Sequence, residues 1–191
     1  MLENERIALA LIALITGVMG FVESMVAVPA GSTAMAADAL SFVQHSISAG
    51  FSLWTTAGTF TRQRWTVQLQ GLVMALLGAL VCAIAVRRFF LGSVPHPFAM
   101  VVIGLMALGA HLTVGAIVLG QRRMLSGFAA LWRLSHTDAV GNIAVIAAAL
   151  LVAATSSNIP DLVIGAAMAA FFFVSGWKIA LTGRLDAGRT S

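Results

Sequence analysis

Apolar residues fall into six blocks along this chain, at about 7–29, 34–57, 67–87, 98–120, 129–155 and 161–182. A bilayer core of about 30 Å takes roughly 20 helical residues, and each block is at least that long. The pattern predicts an all-α membrane protein, a bundle of six transmembrane helices forming a single domain over residues 1–191. Helix-breaking clusters separate the blocks: Pro29-Ala30-Gly31-Ser32, Gly92 to Pro97, and Ser156 to Pro160. No connection is long enough for a second domain, and about nine residues follow the last block, so no soluble C-terminal domain is expected. The first block is not expected to be a cleaved signal, because Met1 to Arg6 carries two Glu and one Arg and Glu23 interrupts the apolar run.

Composition sharpens this picture. Sixty per cent of residues are apolar, 9% are charged and there is no tyrosine, against about a quarter charged in soluble domains. Cys82 is the single cysteine, which excludes a disulfide framework and a multi-cysteine zinc site. The net charge of +4 does not point to nucleic acid, because the basic residues flank apolar runs and no aromatic-interleaved basic patch exists. It orients the chain instead. With the N-terminus inside, the inner loops and tails hold Arg6, Arg62, Arg64, Arg122, Arg123, Arg133, Lys178, Arg184 and Arg189, and the outer ones only Arg87 and Arg88. That bias places both termini in the cytoplasm. Trp54, Trp65, Trp132 and Trp177 then fall near the inner boundary as an aromatic belt. A multi-pass protein of a bacterial-type cytoplasmic membrane is expected.

Against this apolar background a few polar residues stand out. Glu23, Asp38 and Asp138 lie within predicted spans, as do His45 and His111, with His136 near the inner end of the fifth. An ionised residue at a helix centre costs roughly 2.5–3.5 kcal/mol, so three carboxylates mark a substrate pathway unless they are paired, protonated or wetted. Asp38, Ser41, His45 and Ser48 share one face of the second span, and Ser135, Asp138 and Asn142 share one face of the fifth. If those faces meet, imidazole and carboxylate converge on one point, a donor set suited to zinc and similar divalent ions. The bland alternatives are also open. His111, alone on its helix, is expected to be held by a hydrogen bond to a neighbour, with ligation the alternative. Glu23 is either a brace or part of a proton path with Asp38. His136 lies two residues from Asp138 and points off the stripe, and His96, between two prolines, is expected to be exposed.

Two stretches resemble the cation diffusion facilitator family. ESMVAVPAGSTAMAADA, from Glu23 to Ala39, is similar to that family's first-to-second-span region. The stretch from Ser135 through Pro160-Asp161-Leu162 to Ile179 is similar to its fifth and sixth spans. The likeness runs the length of the chain in order and hydropathy. It implies a short member consisting of the six-helix membrane part, which exports a divalent metal in exchange for protons and dimerises through its spans. The family's site has two residues four apart on the second span and two on the fifth. Here those positions are Ser41 and His45, then Leu134 and Asp138. His45 and Asp138 are the strong ligands, with Asp38, Ser41 and Asn142, or His136 and His111, completing the shell. The leading expectation is a transporter rather than an enzyme, with protons and lipid as partners and no nucleic acid. It holds no tight cofactor, and its cargo is zinc, or else cobalt, iron, manganese or cadmium. Ser41 and Leu134 motivate a second reading, a non-transporting partner subunit. A third is a haem-binding anchor with His45 and His111 as axial ligands.

Overall fold

The computed structural model describes residues 3–55, 60–120 and 126–183, with side chains over 3–54, 65–120 and 138–183. Those residues form six helices and no strand: α1 (Glu3–Ala30), α2 (Thr33–Thr55), α3 (Phe60–Leu91), α4 (Pro97–Gly120), α5 (Ser126–Thr155) and α6 (Ile159–Thr182). The six apolar blocks and the six helices coincide. The helices α1 and α3 run several residues beyond their blocks, because hydropathy marks the stretch that suits lipid whereas backbone hydrogen bonding continues into the polar flanks. At 32 residues, α3 is about 48 Å long, which carries Arg87 and Arg88 on its last turns rather than in a loop.

Five of the six helices are long and apolar enough to cross a membrane. The chain is a multi-pass helical membrane protein. The exception is α2, whose Asp38, Ser41, Gln44, His45, Ser46, Ser48 and Ser52 lower its hydropathy. It can carry them because α1, α3, α5 and α6 all pack against it.

Polarity is distributed in the opposite sense to a water-soluble bundle. Along α1 the exposed face is Ile7, Leu11, Leu14, Val18, Phe21, Met25 and Val28, a continuous stripe of large apolar side chains. The buried face mixes Leu9, Ile12 and Met19 with the polar Thr16 and Glu23 and the small Ala8, Gly20, Ala27 and Ala30. In water such a helix would turn over. In lipid the large side chains face the tails, and small residues let the backbones close up.

Successive helices run antiparallel. A core of Met19, Met35, Phe42, Met100, Ile103, Val145 and several alanines joins α1, α2, α4 and α5, and α3 pairs with α6 against the other side of α2. That pair touches backbone to backbone: a Cβ on Gly176 would lie 2.5 Å from Ala75 N and 2.7 Å from Gly71 O. At the end where α2 begins, Asp161 of α6 caps it. Its carboxylate accepts from Ser32 Oγ at 2.5 Å, from Thr33 N–H at 2.7 Å and from Ala34 N–H at 3.1 Å. The first amides of a helix lack intrahelical partners, and here an acid 128 residues downstream of Thr33 supplies them. Nearby, His96 N–H donates to Ala30 O at 2.8 Å and ties the α3–α4 connection to the end of α1.

Candidate metal centre

The cap fixes where α2 starts, and the helix then carries its polar residues to set depths. His45 is twelve residues into α2, about 18 Å along its axis, near mid-bundle. Asp138 lies twelve residues into α5 and His111 fourteen into α4. Three helices thus bring three titratable groups to one level.

There they meet. His45 Nε2 lies 3.2 Å from Asp138 Oδ2, and His111 Nε2 lies 3.9 Å from the same oxygen. One ligand atom from each of the three residues falls within 4.8 Å of those of the other two. Bonds of about 2.0–2.1 Å at a tetrahedral angle hold ligand atoms about 3.3 Å apart, so the cluster needs to contract by little to share one ion. His111 is 1% exposed and His45 4%. His111 Nε2 and Asp138 Oδ2 have no hydrogen-bond partner of standard geometry, and no Lys or Arg pairs with Asp138 among the described residues. Buried acceptors without donors are costly, and a cation between them removes the cost.

Phe42, one turn before His45 on α2, stacks on His111 with centroids 4.0 Å apart. The two imidazoles stand edge to face at 5.8 Å. On its other side His111 meets Asn142, whose amide lies 2.6 Å from Nδ1. The orientation of that amide follows from what lies beyond it. The Asp38 carboxylate oxygens are acceptors, so Asn142 turns Nδ2 to them and Oδ1 to the His111 ring. Past Asp38 lies Glu23 of α1, 0% exposed, its carboxyl facing that of Asp38. Two carboxyls in contact form a hydrogen bond only by sharing a proton.

Of the residues singled out in the sequence, His45 and Asp138 come together as expected. His111 joins them while also making the hydrogen bond expected of it. Asp38 and Asn142 stand one layer behind, joined to the cluster through His111. Ser41 is buried and donates its hydroxyl to Asp38 O at 2.8 Å, within its own helix. Ser48 turns to Gln70 of α3 at 3.4 Å, so the α2 stripe splits between two neighbours. His96 is exposed. The side chains of Leu134, Ser135 and His136 lie outside the described residues, as do those of Arg62, Arg64 and Arg122 to Arg133. Sequence reasoning undervalued His111, because its partners sit on other helices, and it gave Asp161 no part in positioning α2. Its one available signal was an acid directly after the proline that opens α6.

The chain matches no protein-family model and no curated protein.

Proposed function

We propose that this protein is a six-span secondary transporter with both termini in the cytoplasm, which exports a divalent transition-metal cation, zinc foremost, in exchange for protons. The reading is supported above all by the convergence of His45, His111 and Asp138 from three helices, within 4.8 Å and, among the described residues, without a basic partner. The resemblance to cation diffusion facilitators points the same way. Two imidazoles and one carboxylate suit zinc, cobalt or ferrous iron, whereas magnesium and calcium prefer all-oxygen sites. Three protein ligands leave a coordination position open, so cargo can exchange rather than remain as a structural ion.

Metal binding requires the lone pairs that protons would otherwise occupy, so the two cations compete for one site. Asp38 and Glu23, linked to the cluster through Asn142, form the proton station beside it. Rocking of helices around a fixed midplane site then presents it to one side and the other, and the competition exchanges metal for protons. The bias of nine basic residues to two supports the cytoplasmic placement of both termini.

The test is metal-driven proton flux in proteoliposomes loaded with a pH-sensitive dye. His45→Ala and Asp138→Ala are expected to abolish it and His111→Ala to weaken metal affinity. Unchanged flux in the first two variants removes the assignment. Saturable zinc binding without any flux in the wild type would leave the partner-subunit reading instead.

A further inference from the structure

A metal-ligating histidine works only if its second ring nitrogen is held so that the ligating lone pair is free and correctly aimed. A neutral imidazole carries one N–H and one lone pair, and whichever nitrogen donates leaves the other to ligate. For His111 that choice is made by a residue that does not reach the ion.

We propose that Asn142 is a positioning residue, which holds His111 in its Nδ1–H tautomer and turns the Nε2 lone pair toward His45 and Asp138. The proposal rests on the metal-site reading above. Asn142 is 0% exposed and its amide meets His111 Nδ1 at 2.6 Å, against a ring whose Nε2 has no hydrogen-bond partner. Taken alone, an amide can present its oxygen or its NH2 to that nitrogen. Asp38 decides between them: its two oxygens receive the Asn142 NH2, so Oδ1 is left for the ring, and Nδ1 must be the donor. With Phe42 stacked on one face of the ring at 4.0 Å, rotation about the side chain is blocked as well. Asp38 therefore acts on the ion from two residues away, by setting the amide that sets the imidazole. Asn142 lies four residues after Asp138 on α5, so one helix face supplies a ligand and, one turn on, the group that orients another helix's ligand.

The full-length protein with 15N-labelled histidine, in lipid nanodiscs, tests this directly. The nitrogen shifts of His111, assigned by their loss in His111→Phe, are expected to show a protonated Nδ1 and a bare Nε2 in the wild type. In Asn142→Leu they are expected to show a tautomer mixture. Zinc affinity by calorimetry is expected to fall about 10–100-fold in Asn142→Leu. The double variant Asp38→Asn/Asn142→Asp exchanges acid and amide and keeps both hydrogen bonds, and it is expected to recover to within a few-fold of the wild type. A wild-type spectrum showing Nε2–H overturns the proposal. So does wild-type affinity in Asn142→Leu, or a double variant as weak as the leucine one. A wild type that binds no zinc but keeps the Nδ1–H tautomer, lost in Asn142→Leu, defeats the transport reading and leaves the positioning role standing.

Discussion

Replacing Asp161 with alanine removes the acceptor for three donors at once: Ser32 Oγ, Thr33 N–H and Ala34 N–H. The serine hydroxyl can rotate to another partner, and it still accepts from Met35 N–H at 3.1 Å. The two backbone amides cannot, since they point along the α2 axis into a site where Asp161 is 1% exposed. Hydrogen bonds to a charged acceptor contribute about 1.5–3 kcal/mol each, so the loss comes to about 3–6 kcal/mol, well above the ~1 kcal/mol of an ordinary exposed cap. Asp161→Asn keeps one oxygen but turns an NH2 toward one of the amides, and should lose about half as much. Unfolding in mixed micelles titrated with SDS, followed by far-UV circular dichroism, measures both. Hydrogen exchange at Thr33 and Ala34 should speed up in step. An Asp161→Ala protein within about 1 kcal/mol of the wild type would refute the claim that this carboxylate holds the start of α2.

Two further outcomes are expected. Gly176→Leu drives a side chain into Ala75 N and Gly71 O, so it should destabilise by at least the ~1–3 kcal/mol of ordinary overpacking, whereas Gly50→Ala, whose Cβ meets nothing within 4 Å, should be neutral or stabilising in the same micelle titration. Glu23→Gln keeps the shape and still offers Asp38 a donor, so bundle stability should stay within about 1 kcal/mol of the wild type while proton flux per metal falls in the proposed exchange; unaltered flux would remove Glu23 from the proton path.

The helices were legible because lipid imposes a simple rule on length and polarity, and all six apolar blocks became helices. α2 is instructive: its polar stripe predicted an interior-facing element, and the same stripe takes it below the hydropathy of a free-standing span. The pairing of His45 with Asp138 was readable because each sits on a face with other polar residues. His111 had no such company on α4, and its part in the cluster depends on Asp138 and Asn142, about thirty residues away along the chain. Asn142 was visible as polar, but its task could not be read, since a side-chain amide can donate or accept and only Asp38 and His111 together fix which it does. The cap from Asp161 depends on a contact across 128 residues, which no local pattern encodes.

The backbone contact between α3 and α6 gives the molecule an internal ruler. Where Gly71 and Gly176 touch, neither helix can slide or tilt without the other, so spectroscopic labels on the lipid-facing sides of this pair should report a constant separation in every state of the proposed transport cycle. Labels on α2 and α5, which meet through side chains in the shared apolar core and at the Asp38–Asn142 and His45–Asp138 pairs, have no such restraint. The first pair calibrates the instrument and the second records the motion.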